Sequence, residues 1–351
     1  MESPVGIACT GSLTRCPGHA LPSKMRSEPS LCTLSSLSLA GEPKRVLVIG
    51  AGAVGGAIGG LLHASGLPVQ LVARGEHGDA IRRSGLSLRL PGRKLSLSIP
   101  SVASIDDLSF QSGDIALLST KLQDAEAALD QLLRIAGPTL PIVCAVNGVD
   151  GERFAAARFD RVASMLVWIL ATYLAPGEVQ IYGAPCPAVL DIGLYPAGEA
   201  PWIDALCGQL RAAGFDSQPQ PEMQRWKLGK WITNLGSAAQ ALVSDDWRAV
   251  AQRAQREGEA VLRAAGLDHV SQQALQERTR RVEAQPIDGR PRPGGSTWQS
   301  RARGKPLETP WIEGAMAALG RRVGVPTPIL EALTDAARLP RSLTAAERLG
   351  T

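Results

Sequence analysis

The stretch Lys44 to Arg74, KRVLVIGAGAVGGAIGGLLHASGLPVQLVAR, constrains this chain more than any other. Val46 to Ile49 is a short, wholly apolar run, as a parallel strand buried on both faces requires. Gly50, Gly52 and Gly55 follow with G-x-G-x-x-G spacing. In such a turn the first glycine permits the bend and the second admits a pyrophosphate close to the backbone. The third lets the next helix pack against the strand. That helix, Val54 to Ser65, is expected to stop at Gly66 and to aim its free N–H groups at phosphate. A strand before the turn and a helix after it make this a dinucleotide site.

The second strand, Val69 to Ala73, bears on which dinucleotide. An NAD site usually ends this strand with an acid for the ribose 2′-hydroxyl, whereas Arg74 stands there in this chain. A guanidinium matches a phosphate bidentately and favours the 2′-phosphate of NADP. A surface arginine after a strand would look the same, and Glu76 could act as a displaced NAD acid.

Composition closes off other classes. With 351 residues there is length for two domains, and 37 basic against 33 acidic residues leave a formal charge of only +4. No basic block alternates with aromatics, so nucleic acid is not an expected partner. No run of about eighteen apolar residues occurs, so no membrane span is expected. Six dispersed cysteines without C-x-x-C, and four scattered histidines, suggest a reduced, cytoplasmic protein without a metal site. Residues 1–43 lack apolar periodicity and a signal or transit pattern; they read as a disordered tail or a start codon placed too early.

Leu86 to Ile99 alternates around Pro91-Gly92-Arg93 and predicts a hairpin insertion. Asp114 to Thr120 and Pro141 to Val146 are further buried strands separated by a helix from Asp124 to Ile135. Strand and helix in alternation predict an α/β, doubly wound parallel sheet of Rossmann type, here assigned to residues 44–217. Ligands in such sheets gather at the carboxyl ends of strands, where Gly50, Arg74, Lys121 and Asn147 fall. Lys121 could equally be a solvated helix-entry residue, and Asn147-Gly148 an ordinary turn.

After Pro221, β signals vanish and residues 218–345 read as an all-helical domain. Its expected helices run from Glu222 to Val243, Asp246 to Ala265, Val270 to Ala284, Pro306 to Val323 and Thr327 to Leu339, with the active site in the cleft facing the sheet. Lys230 and Asn234, four apart, share a helix face that continues at Ala238. A polar stripe toward water is the plainer reading of that pair. Ser296 precedes Glu308 by twelve residues.

At this point the chain resembles the ketopantoate reductases (2-dehydropantoate 2-reductases), from Arg45 to about Arg338. GAGAVGGAIG, an arginine after the second strand, STK before a helix, NGV after a later strand, WKLGKWITN, the Ser296–Glu308 pair and ETPWIEG leading to GVPTP come in the family's order. The resemblance implies that Gly50, Ala51, Gly52, Ala53, Val54 and Gly55 cradle the pyrophosphate of NADPH and that Arg74 takes its 2′-phosphate. Lys121 and Asn147 would line the cofactor side. Lys230 would be the catalytic lysine, with Lys227 its rival, and Asn234 would contact substrate. Ser296 would hold a carboxylate, and Glu308 would orient the lysine and bridge substrate and cofactor. The implied reaction is NADPH-dependent reduction of a small 2-oxo acid, foremost 2-dehydropantoate to (R)-pantoate. Two departures, Ala238 for a second asparagine and Thr309-Pro310 for Ile-Asp, keep a paralogue with another 2-oxo acid open. An inactive nucleotide-binding regulator is the reading from another class. The sequence does not distinguish a monomer from a homodimer.

Overall fold

A computed structural model describes residues 42–338, which belong to one compact unit. The expectations for residues 1–41 and 339–345 lie outside the described residues.

The chain opens with β1 (Arg45–Ile49), α1 (Ala53–Ala64), β2 (Val69–Val72) and α2 (Gly75–Ser84). The hairpin β3 (Leu86–Leu90) and β4 (Arg93–Leu97) follows, then the short β5 (Ser101–Val102). Next come β6 (Asp114–Leu118), α3 (Leu122–Ala136), β7 (Ile142–Cys144), α4 (Asp150–Ala156) and β8 (Val162–Ile169). The first half ends with β9 (Ala171–Thr172), β10 (Glu178–Ile181), β11 (Gly183–Pro185), β12 (Ala188–Leu194) and α5 (Pro201–Ala212).

The main sheet has the order β12-β8-β7-β6-β1-β2-β5 and is parallel except for β12, which runs antiparallel to β8. From β1 the chain builds outward through β2 and β5, then returns to lay β6 on the opposite side of β1, in register from Arg45↔Asp114 to Ile49↔Leu118. That reversal opens a crevice beyond the carboxyl ends of β1 and β6, the usual ligand position in open α/β sheets. The predicted doubly wound sheet is therefore present.

The predicted hairpin joins β10 and β9 in a second sheet, β4-β3-β10-β9, with β10 parallel to β3. This sheet covers the outer face of α1, and the glycines of that helix follow from the double contact. A Cβ at Gly59 would come 2.9 Å from Leu71 and Val48 on the main sheet. One at Gly60 would come 2.6 Å from Leu88 on the small sheet.

The second half contains α6 (Met223–Asn234), α7 (Ser237–Leu242), α8 (Trp247–Ala264), α9 (Gln272–Thr279), β13 (Val282–Ala284), α10 (Ser296–Ala302), α11 (Glu313–Val323) and α12 (Pro328–Ala336). The helical character is as expected, with local differences. The predicted Glu222–Val243 helix breaks after Asn234, so Lys230 and Asn234 share α6 while Ala238 belongs to α7. The predicted Val270–Ala284 helix ends at Thr279, because Val282–Ala284 pairs antiparallel with β11. Residues 306–312 are not helical, with turns over 309–312 ahead of α11, and α10 is a helix the sequence pattern did not show.

One apolar cluster runs from Leu47, Leu118 and Leu129 on the α3 face of the sheet to Trp231, Leu242, Met316 and Leu333 among the helices. The two halves are thus joined by continuous burial on that side. No described helix is long and apolar enough to cross a membrane.

Candidate active site

The glycine turn separates three physical demands. Gly50 has φ +99°, and a Cβ there would lie 3.0 Å from the Thr120 backbone nitrogen. At Gly55 a Cβ would meet the Gly50 carbonyl oxygen at 2.2 Å. At Gly52, by contrast, a Cβ would find nothing within 4 Å. The first and third glycines are fixed by the protein's own packing, while the second borders open space, as close approach of a pyrophosphate requires. Gly52 is also the N-cap of α1 and offers no side chain to its free N–H groups. The residues present therefore fit a dinucleotide. Ser119, at the end of β6, donates to the Gly50 carbonyl at 2.9 Å and braces the turn from the neighbouring strand. Ser119 opens the STK motif, from which only Lys121 was expected to act.

Arg74 caps α2 just past β2, and its side chain is 71 % exposed. A loose contact of 3.3 Å with Asp124 is its ion pair. Exposed pairs of this kind contribute little, so the guanidinium can be recruited by an anion.

Lys121 is the N-cap residue of α3, and Glu308 reaches it from the helical half. One Glu308 carboxylate oxygen accepts from the Leu122 N–H at 3.0 Å, and the other pairs with the Lys121 ammonium. An acidic group at a helix N-terminus is favourably placed, and here it ties α3 to the turns before α11. Sequence reasoning expected Glu308 to orient Lys230; in the structure its bonds go to Lys121 and Leu122 instead.

Lys230 lies on α6 with 8 % exposure. Its ammonium donates to the Asn147 side-chain oxygen at 2.9 Å and to the Val167 carbonyl of β8. The same Asn147 oxygen accepts from the Asn234 amide at 3.3 Å. Asn147 follows β7 in a turn closed by Gly148 at φ +73°, so a strand end of the α/β half meets both polar residues of α6. Burial, aided by the positive charge of Lys227, pushes the Lys230 ammonium down to about 7; Glu152 and Glu308 pull the other way. A lysine near pH 7 can both hold and release a proton under ordinary conditions.

Lys227, the rival, is buried and committed elsewhere. It donates to the Val146 carbonyl at 2.7 Å and pairs at 2.9 Å with Glu152, itself fully buried. Lys227→Met should cost about 3–5 kcal/mol in urea unfolding, because it strands the Glu152 carboxylate. Lys227→Met combined with Glu152→Met should recover most of that loss. If the double variant is no more stable than the single one, the ion pair is not what the lysine serves.

Ser296 begins α10 and shares no hydrogen bond with the Lys230–Asn147–Asn234 group among the described residues. Its helix is seated by Gly295, whose N–H donates to Gln240 of α7 at 2.9 Å, and by Gln299, which donates to the Ala171 carbonyl at 3.0 Å. Glu313 was not singled out by the sequence. It is buried at the start of α11, and burial raises its carboxyl to about 8, while N–H groups of Glu313 and Ala238 hold it lower than burial alone would.

Residues 46–196 match the family model for ketopantoate reductase PanE/ApbA, and residues 231–340 match that for the C-terminal part of the same family. A 2-dehydropantoate 2-reductase of Mesorhizobium japonicum is 25 % identical over 323 residues, covering 82 % of this chain and 95 % of that protein. One from Pyrococcus horikoshii is 27 % identical over 190 residues, taking in 54 % of this chain and only 60 % of the relative's length. A crystal structure of a PanE/ApbA family ketopantoate reductase from Ralstonia eutropha JMP134 superposes with TM-score 0.69 at 25 % identity, covering 84 % of this chain and 97 % of that one.

Proposed function

Since the chain belongs to the ketopantoate reductase family, an oxidoreductase family, we propose that it reduces a 2-oxo acid to the 2-hydroxy acid with NADPH, with 2-dehydropantoate as its substrate and (R)-pantoate as product. The observation that carries this reading is the buried Lys230, near neutral pKa, joined through Asn147 to the strand ends beside the glycine turn.

The bound nicotinamide would supply the hydride to the C2 carbonyl carbon. Lys230 then answers the charge that grows on oxygen: its ammonium stabilises the developing alkoxide and passes a proton to it. Asn147 and the Val167 carbonyl hold the ammonium in one place, so no reorganisation is needed as the charge appears. Asn234, fixed through the same asparagine, is the neighbouring donor for substrate. Ser296 would take the substrate carboxylate. Glu308, held at the N-terminus of α3, lies at the junction of the two halves, where it and Lys121 would border both ligands. Gly50 to Gly55 would receive the pyrophosphate and Arg74 the 2′-phosphate.

The buried Ala238 is a reason to test other acids: it places a methyl group in α7, four residues past Asn234, where the family resemblance implies a second asparagine. A panel of 2-oxo acids, assayed with NADPH and with NADH by absorbance, tests the proposal directly. Turnover should be fastest on 2-dehydropantoate, and inactivity on it with reduction of another acid would move the assignment to that acid. In the same assay Arg74→Ala should weaken NADPH about 10- to 100-fold, the value of a charge-assisted bond, and leave NADH within about twofold. Equal losses for both cofactors would remove Arg74 from 2′-phosphate recognition.

A further inference from the structure

His77 is one of the four histidines and belongs to none of the motifs above. It stands in the first turn of α2, buried, two residues past the glycine that opens that helix. Its Nδ1 accepts from the Gly177 N–H at 2.9 Å, between β9 and β10. A backbone N–H can only donate, so Nδ1 must carry the lone pair and Nε2 the proton. Nε2 then donates to the Ala51 carbonyl at 2.8 Å, within the glycine turn itself. Both ring nitrogens are thus engaged with backbone, one on the cofactor turn and one on the small sheet, and the ring is neutral. Burial lowers its pKa most; the bond to Ala51 opposes this and the charge of Arg303 adds to it.

The contacts continue toward α10. The His77 and Tyr173 rings lie 4.1 Å apart between centroids, and the Arg303 guanidinium sits 4.4 Å from the Tyr173 ring. Arg303 is the C-cap residue of α10, and Gln299 one turn earlier accepts from the Tyr173 N–H at 3.2 Å. The helix that begins at Ser296 therefore docks on the same tyrosine that packs, tilted by 43°, against the histidine holding Ala51.

We propose that His77 is a positioning residue that fixes the dinucleotide turn and braces it against α10, so that losing a contact anywhere along this series loosens the turn. The proposal rests on the glycine turn being the cofactor site, as in the function proposed above. Backbone groups of the turn can present their N–H donors to phosphate only if its carbonyls point away, and the bond from His77 to Ala51 holds one of them there.

The test is a fluorescence titration of NADPH on the full chain, which needs no substrate. His77→Phe keeps a ring for Tyr173 and removes both hydrogen bonds; its NADPH Kd should rise about tenfold, as expected when a buried carbonyl loses its donor. Gln299→Leu, remote from the turn, should also weaken NADPH, and the two changes together should weaken it by less than the product of the single effects. If the phenylalanine variant does not fold by circular dichroism, His77→Gln, which retains a donor, takes its place with a smaller loss expected. A folded variant that binds NADPH within twofold of the parent, or single effects that multiply, would overturn the proposal. Should the parent bind NADPH and His77→Phe weaken it while no 2-oxo acid is reduced, the positioning role stands and the assigned reaction fails.

Discussion

Lys230→Ala should lower kcat/KM by about 10²–10⁴-fold, the range a positioned general acid supplies. The loss should appear in kcat more than in KM, because the ammonium acts where charge develops rather than where substrate is first held. The parent enzyme should show a matching pH signature. With its proton held to about pH 7, Lys230 is the acid form below that value and the free amine above it. Reduction should therefore slow as pH rises through about 7, and Lys230→Ala should flatten that limb. Stability runs in the opposite direction. The unfolded lysine keeps its proton up to about 10.5, the ordinary lysine value. Between about 7 and 10.5 the unfolded chain binds the extra proton, so raising pH across that window favours the folded chain. A Lys230→Met variant should lose this rise in urea unfolding. Retention of both the pH limb and the rate in Lys230→Ala would transfer the donor role elsewhere.

The second large effect belongs to Gly55. An alanine Cβ there would lie 2.2 Å from the Gly50 carbonyl oxygen, 2.3 Å from Ser119 Oγ and 2.8 Å from Val48. The serine can rotate, but the carbonyl is backbone at the base of the turn, so α1 itself must move. Gly55→Ala should cost about 1–3 kcal/mol of stability, as overpacking does. The NADPH Kd should rise about 100-fold or more, since the N–H groups of the turn no longer converge on one point. Gly52→Ala separates the two components. Its Cβ meets no protein atom within 4 Å, so the protein should melt normally yet bind dinucleotide poorly. Calorimetry and fluorescence titration of both variants read this directly; tight binding by Gly52→Ala would mean that the pyrophosphate does not pass that atom.

How much of this was legible in the sequence depended on the range of the interaction that fixed each part. The buried strands showed as apolar runs and the turn as glycine spacing, because a few neighbouring residues determine both. Lys230 and Asn234 were readable as one face of one helix, and they do share a partner, Asn147. The helix break after Asn234 was not readable. Gly236 sits where a Cβ would come 2.9 Å from Ala251 of α8, a contact made from outside the segment. Val282–Ala284 is a strand because β11 lies beside it, not because those three residues demand one. The Glu308 contact with Lys121 joins positions 187 residues apart, and no local pattern records it. For Lys227 the sequence holds half of the answer: Trp231, not an asparagine, stands four residues on, but its ion pair with the buried Glu152 has no local signal.

The sandwiched position of α1 has a consequence for how a ligand would be received. Both flanks of that helix are occupied by sheets, and its glycines are sized to those neighbours. The conformational entropy lost in aligning the phosphate-facing N–H groups is therefore surrendered when the chain folds, not when a dinucleotide arrives. The turn is a receptor of fixed shape, and the adjustable parts of the molecule are the side chains around it.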